Sequence, residues 1–342
     1  MHLPTVPSST PAARSSPALP ALAALRSFLQ RHAALGAAAA PVAIAFSGGA
    51  DSTALLQGAL QLWGPERLRA LHVHHGLQSD ADAFADHVRK RCAAWNVACS
   101  VLPVQVRAQR GDSLEDRARD ARYQALGEAA RGLGCDWLLL GHQADDQAES
   151  LLLALLRGAG PKGLAAMPEA AQRDGLWLGR PLLACSADEL RRSLDVGVQP
   201  LPYLRDPMNQ DPAFRRSRIR HELLPIIARL EPGWRSTLGR SAALCAQAAT
   251  SLEEAAAQDL ARCTSEEGLR LDTLRELSDA RLSEVLRLWL LRAGLRSSHG
   301  QIDNLRQQVR ATANGAMDLQ VRLRSATLER RGVSLVRVVS AD

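Results

Sequence analysis

Ser47-Gly-Gly-Ala-Asp-Ser52 is the segment that most constrains this chain. It follows directly on Val42-Ala-Ile-Ala-Phe46, an apolar run of the buried-strand type, and it opens a stretch with helical spacing near residues 52–62. Gly48 and Gly49 let the backbone approach an anion closely, and the N-terminus of the next helix offers free N–H groups and the positive end of a dipole. Ser47 and Ser52 add hydroxyl donors, and Ala50 belongs to the same anion-binding string. Asp51 is out of place in a loop that only holds phosphate, because two anions repel. A bound Mg2+ bridging Asp51 and the phosphates removes that conflict. The competing reading is a tight strand–helix turn capped by Asp51 and Ser52. That turn does not require the whole string, so the anion-binding reading is preferred.

The loop sits in a repeating pattern. Leu68-Arg-Ala-Leu-His-Val73, Val97-Ala-Cys-Ser-Val-Leu102 and Trp137-Leu-Leu-Leu140 are three further strand-like runs. Helical stretches near 52–62, 81–95, 114–131 and 146–157 lie between and after them. Strands alternating with helices predict an α/β domain with a parallel sheet and helices on both faces. Runs that are apolar at every position suit strands buried on both sides. Ligands of such sheets bind at the carboxyl ends of the strands, where the loop lies. Residues 198–214, with Pro200, Pro202, Pro207 and Pro212, read as a turn-rich connector. After it the pattern becomes helical over 236–263 and 280–293, with strand-like pieces from Leu319 to Val339. The expected organisation is a disordered tail over 1–25, a catalytic domain over 26–220 and a smaller, mainly helical domain over 221–342.

Length and composition agree with two folded domains: 342 residues, 46% hydrophobic and 23% charged. The net charge of +6 permits a polyanionic partner, but Lys occurs only at Lys90 and Lys162, and such Arg bias has a compositional explanation too. Six cysteines are scattered without a CxxC pair, which argues against a zinc or iron–sulfur site and for a reducing, cytoplasmic setting. No apolar run reaches the roughly 18 residues of a membrane span. The start of the chain, rich in Ser, Pro and Ala, lacks the layout of a secretory signal.

The loop is neither a Walker loop nor a GxGxxG fingerprint. It resembles the PP-loop of ATP pyrophosphatases, Rossmann-like enzymes that transfer AMP from ATP and release pyrophosphate. Further motifs choose within that class. His72-Val-His-His-Gly-Leu77 closes the second strand, and Gly141-His-Gln-Ala-Asp-Asp-Gln-Ala-Glu149 closes the fourth. Arg157-Gly-Ala-Gly-Pro-Lys-Gly-Leu164, Arg180-Pro-Leu-Leu183 and Arg216-Ser-Arg-Ile-Arg-His221 before Leu223-Leu-Pro225 follow in order. Over residues 42–225 this series resembles the tRNA(Ile)-lysidine synthases. It departs from them in Gln143 where a second His is usual, in Ser150 for Thr, in His74 for Asn or Asp, and in Ser217 after Arg216.

Asp146 and Glu149 lie three apart in the first turn of a helix and share a face. With Asp51 they form the expected Mg2+ site; the alternative is simple complementarity of acids to a helix N-terminus. His142, at the strand end just before, is not explained by that alternative. Glu115, Arg119, Arg122 and Tyr123 share the third helix, and the resemblance implies that its arginines touch ATP or RNA; a surface Glu115–Arg119 pair is the alternative. His72, His74 and His75 lack a nearby Cys and make an unconvincing zinc site. Arg216, Arg218 and Arg220 are assigned to tRNA, against the alternative of a solvated helix start.

The resemblance implies an ATP-dependent ligase acting on the wobble cytidine of CAU-anticodon tRNA(Ile), with ATP and Mg2+ as co-substrate and cofactor and free lysine as the second substrate. It implies catalytic roles for Asp51, Asp146, Glu149, His142, Arg119 and Arg122, and a cytoplasmic enzyme with no membrane partner; a homodimer is among the assemblies open to it. The alternatives are a PP-loop tRNA thiolase, against which the absence of CxxC weighs, and a nucleotide-binding regulator without catalysis, which needs no acids beside an intact loop.

Overall fold

The structure is a computed structural model that describes residues 19–37, 39–74, 81–104, 114–195, 200–204, 215–295, 297–312, 319–323 and 326–339. It divides into two compact units, one of residues 1–159 and 163–242, the other of 160–162 and 243–342.

The first unit starts with α1 (Pro20–Arg31) and the short α2 (Ala33–Ala37). Then come β1 (Val42–Ala45), α3 (Ala50–Trp63), β2 (Leu68–His74), α4 (Ala81–Ala94), β3 (Ala98–Pro103), α5 (Leu114–Gly132), β4 (Trp137–Leu139) and α6 (Ala144–Leu155). A single turn, α7 (Pro161–Leu164), precedes the hairpin of β5 (Ala170–Arg173) and β6 (Leu176–Gly179). α8 (Ala187–Asp195), α9 (Arg215–Arg218), a π-helical turn (Ile219–Leu223) and α10 (Leu224–Leu230) lead into α11 (Trp234–Cys263), within which the division falls.

The six strands are ordered β3-β2-β1-β4-β6-β5, all parallel except β5, which pairs antiparallel with β6. β1 is central, with Val42 beside both Leu68 and Trp137. The chain runs outward to β2 and β3 on one side and returns to β4 on the other. That reversal opens a crevice at the carboxyl ends of β1 and β4.

Strand alternation serves two cores at once. Val42, Ile44, Trp137 and Leu139 face one cluster with Leu55 and Leu56 of α3 and Leu190 of α8. Ala43, Leu138 and Leu140 face another with Tyr123 and Leu126 of α5. The expected parallel sheet with helices on both faces is therefore the fold.

The tail expected over 1–25 needs correction at its end. α1 already begins at Pro20, and Ala21, Leu25 and Phe28, at helical spacing, are buried in the core. Pro fits the first helical turn, where its missing N–H is not needed. Residues 1–18, and residues 198–199 and 205–214 of the expected connector, lie outside the described residues.

The second unit carries α12 (Leu271–Glu276), α13 (Asp279–Arg292) and α14 (His299–Ala311). It also holds an antiparallel sheet in the order β7 (Leu269–Arg270), β10 (Ser334–Val339), β9 (Ala326–Arg331), β8 (Gln320–Arg322). Leu274, Leu286, Leu305, Leu328 and Leu335 are among its core residues. Its helices with short carboxyl-terminal strands match the expectation. Among the described residues no helix is long and apolar enough to cross a membrane.

Candidate active site

The loop after β1 is held open by its own small side chains. Gly48 takes φ of +83°, a left-handed conformation that favours glycine. The Ser47 and Ser52 hydroxyls lie 3.1 Å apart, Ser52 Oγ donates to the Gly49 carbonyl at 3.0 Å, and Thr53 Oγ1 donates to it at 2.9 Å. The Leu204 N–H donates to the Gly48 carbonyl at 2.9 Å and braces the loop from outside. His72, buried at the end of β2, donates from Nδ1 to the Phe46 carbonyl at 3.0 Å. Burial pushes its pKa down, so it stays a neutral strut.

Gly141 brings the end of β4 against this loop. A Cβ there would stand 3.1 Å from Ser52 N and 3.2 Å from Ser52 Cα. Those are backbone atoms, which cannot swing away. Gly141→Ala is expected to cost about 1–3 kcal/mol of stability, as overpacking does, and to weaken nucleotide binding by displacing the first turn of α3. Thermal unfolding and ATP titration check both; an unchanged ATP affinity would mean that the contact does not shape the loop.

α6 starts from a complete capping box. Gln143 Oε1 accepts from the Asp145 N–H at 2.6 Å, and Asp146 Oδ2 accepts from the Gln143 N–H at 3.1 Å. Gln143 is thus a helix cap.

The acids of α6 meet arginines from the region around the π-helical turn. Glu149 is fully buried; its carboxylate accepts from Arg216 Nε at 2.8 Å, from Arg220 Nε at 2.5 Å and from Arg220 Nη2 at 3.0 Å. Asp146 Oδ1 accepts from Arg220 Nη2 at 3.0 Å. Burial pushes the Glu149 carboxyl up from its ordinary range, against the pull of Arg220. Burial also disfavours the Arg220 cation, but Glu149, Asp146 and Asp51 more than offset this and raise its pKa. Next door, Asp145 accepts from Arg235 Nε at 2.9 Å and from the Ala187 N–H at 3.1 Å, which ties α6 to the start of α8.

Two side chains stand apart from this pairing. Asp51 Oδ1 is buried with no hydrogen-bond partner among the described residues. Burial first, then the charge of Asp146, push its carboxyl up to about 7, although Arg191 and Arg220 pull the other way. His142 Nδ1 is likewise buried without a partner. Burial holds its pKa well below the ordinary value, helped by the charges of Arg180, Arg216, Arg122 and Arg119. The crevice thus combines an anion-binding loop, an ionisable carboxyl without a partner and a neutral imidazole in a positive field. This arrangement suits charge neutralisation around a reacting phosphate.

Residues 23–227 match a PP-loop domain, and residues 269–332 match a TilS substrate binding domain. The tRNA(Ile)-lysidine synthase of Polaromonas naphthalenivorans is 40% identical over 96% of this chain and 97% of its own length. The chain belongs to the tRNA(Ile)-lysidine synthase family. That of Alkalilimnicola ehrlichii is 44% identical over 78% of this chain, which spans 60% of that longer relative. A U34-tRNA thiolase from Methanococcus maripaludis, solved with its [4Fe-4S] cluster, aligns with a TM-score of 0.53 at 18% identity over 65% of this chain and 77% of its own. That likeness is one of fold.

Within this member of the family, Ser47, Gly48, Gly49, Ala50, Asp51 and Ser52 stand together at the end of β1, and Asp146, Glu149, Arg216 and Arg220 form one cluster. The three acids are not one open ligand set: Glu149 is bonded to two guanidiniums, and among the described residues no group of three or more His, Cys, Asp or Glu is disposed to hold a metal. Arg216 and Arg220, expected on an RNA surface, are turned inward by these bonds, whereas Arg218 is exposed and pairs with Glu222 at 3.3 Å. Arg119 and Arg122 flank the Tyr123 ring at 5.6 and 5.8 Å. His74 meets the exposed Asp82 at 3.0 Å. His75 and the side chain of Glu115 lie outside the described residues. Sequence reasoning gave no role to Asp145, Arg180 or Arg235. Arg180 was visible only as the first residue of an Arg-Pro-Leu-Leu string, and Asp145 only as the neighbour of Asp146.

Proposed function

We propose that this enzyme adenylates the wobble cytidine of CAU-anticodon tRNA(Ile) and joins free lysine to its C2, giving lysidine. The cytidine O2 attacks the α-phosphorus of ATP, and the bond to pyrophosphate breaks. The lysine side-chain amine then attacks C2, loses a proton, and the C2–oxygen bond breaks to release AMP. The observation that carries this reading is the unpartnered Asp51 carboxylate at the mouth of the glycine loop. A buried acid beside an anion site fits a divalent cation, and Asp146 is the second acid near it. Asp51 and Asp146 would hold Mg2+, which supplies charge neutralisation for the phosphates; Glu149, fully buried with both oxygens on arginines, would not be a ligand, whereas Asp146 is partly exposed and would exchange its contact with Arg220 for the metal.

The chain's own residues do the rest. The loop and the N-terminus of α3 hold the departing pyrophosphate. Arg119 and Arg122 add positive field where negative charge builds up. The second unit, with its match to a substrate binding domain, would hold the tRNA so that the unstacked base reaches the crevice. Arg218 is the arginine of its trio that remains exposed for a phosphate contact. The enzyme works in the cytoplasm, as one chain or as a homodimer.

With ATP, Mg2+ and a CAU-anticodon transcript, AMP release is expected to require lysine, and the RNA is expected to gain one lysine less a water by mass spectrometry. AMP release driven by a sulfur donor, with lysine inert, would make the enzyme a thiolase instead. None of its six cysteines forms the CxxC pair that such chemistry favours.

A further inference from the structure

Two buried polar atoms at the carboxyl ends of adjacent strands have no hydrogen-bond partner among the described residues: His142 Nδ1 beyond β4 and Arg180 Nε beyond β6. The strands are parallel with Leu139 opposite Gly179, and the Leu140 N–H donates to the Gly179 carbonyl at 2.8 Å. Arg180 therefore begins the chain segment beside the one that carries His142. Arg180 is only 6% exposed, and its Nη1 is fixed by donation to the Pro168 carbonyl at 2.8 Å. A charged donor left buried without a partner is costly, and such a group calls for a reason, a ligand that completes it among them. The strongest charge acting on His142 is that of Arg180, followed by Arg216, Arg122 and Arg119. Arg216 is bonded to Glu149, but among the described residues Arg180 makes no ion pair with a carboxylate. The open Nε donor and the positive charges around His142 favour an anionic partner.

The position of this pair along the sheet says which anion. The phosphate loop ends β1, with β4 next to it and β6 one strand farther. At about 4.8 Å between strands, the Arg180 end lies roughly 10 Å across the sheet from the loop. The phosphates bound at β1 need no second cradle there. A second substrate that must bring an amine to the reacting centre, with a carboxylate several methylenes behind it, spans just such an interval.

We infer that Arg180 and His142 form the subsite for the α-carboxylate of the amino-acid substrate, Arg180 donating from Nε and His142, as the Nδ1–H tautomer, from its ring. This rests on the lysine-joining reading above. Arg180 would then set substrate choice, by rejecting amines that lack a carboxylate.

The test compares lysine with 1,5-diaminopentane, which has the same amine spacing but no carboxylate, using the full chain, ATP and the CAU transcript. In the wild type, KM for the diamine is expected to exceed that for lysine by about tenfold or more, the worth of a charge-assisted hydrogen bond. Arg180→Gln should raise KM for lysine to the level of the diamine and leave KM for the diamine and for ATP within about twofold. Retained pyrophosphate exchange shows that the variant is folded. If the Gln variant fails to fold, Arg180→Lys, which keeps the charge and loses the fork, should show a smaller shift in the same direction. A wild type that uses both amines equally well overturns the inference. So does a variant whose KM rises for ATP and not for lysine, which would assign the anion to the nucleotide. A wild type that releases pyrophosphate but joins neither amine overturns the lysine reading itself, a different failure from the other two.

Discussion

Asp51→Asn is expected to lower pyrophosphate exchange by at least about a hundredfold, the scale of losing one charge-stabilising group in a reaction centre, while leaving the protein no less stable than the wild type. The two halves of this expectation share a cause. Burial, and then the neighbouring Asp146, raise the Asp51 carboxyl from 3.8 to about 7. The folded state therefore holds a proton that the unfolded chain has already lost. Below both values the group is neutral in either state and has no effect. As pH rises from about 4 to about 7 the ionised carboxylate increasingly disfavours the fold, by as much as a few kcal/mol, and above that the penalty is constant. Asn carries no such penalty, so the gap in melting temperature in favour of the variant should widen between pH 5 and pH 8. A buried carboxyl that weakens the fold and has no hydrogen-bond partner among the described residues fits the ligand role proposed for it. Pyrophosphate exchange within tenfold of wild type would sink the assignment. A variant less stable at pH 8 would show that Asp51 has a structural partner instead.

The legibility of this fold followed from how local each signal is. β1, β2 and β4 announce themselves because both faces of the sheet are covered, so Val42 to Ala45 and Trp137 to Leu139 have no position left for a polar residue. The phosphate loop is contiguous and needs no tertiary information. The β5–β6 hairpin went unread because Ala170–Arg173 is short and partly exposed. Its turn was nevertheless written in the sequence: Asp174 and Gly175, at φ of +50° and +80°, are the Asp-Gly pair that a tight hairpin prefers. α1 was hidden by the Ala and Pro content of its surroundings. The site itself was half legible. Spacing put Asp146 and Glu149 on one face, but it could not say that Arg216 and Arg220, about 70 residues on, would occupy that face. An arginine run looks the same in sequence whether it faces phosphate or a buried carboxylate. Only the topology, which folds the π-helical turn back onto α6, separates the two.

That difference makes Glu149 the most informative position after Asp51. Its side chain is fully buried and receives three hydrogen bonds from two guanidiniums. Replacing it with Ala leaves Arg216 and Arg220 in place with their principal counter-ion gone, although Asp146 still holds one arm of Arg220. Breaking a buried pair by deleting one partner costs about 3–5 kcal/mol, because the remaining charge is uncompensated. For a unit of this size that is a fall in melting temperature of roughly 10 °C. Glu149→Gln keeps an acceptor oxygen and should fall between Ala and wild type. The metal-ligand role predicts something else: little change in the stability of the metal-free protein and a higher Mg2+ requirement for exchange. Melting each variant in a chelator and titrating Mg2+ separates the two. Glu149→Ala is expected to melt early in the chelator. Asp146→Asn, which keeps an acceptor oxygen but loses the charge that pairs with Arg216 and Arg220 and lies near Asp51, is expected to melt closer to wild type than Glu149→Ala and to need more Mg2+. If Glu149→Ala melts as the wild type does and only its Mg2+ titration moves, Glu149 belongs to the metal. The arginines would then be free to leave it when RNA arrives.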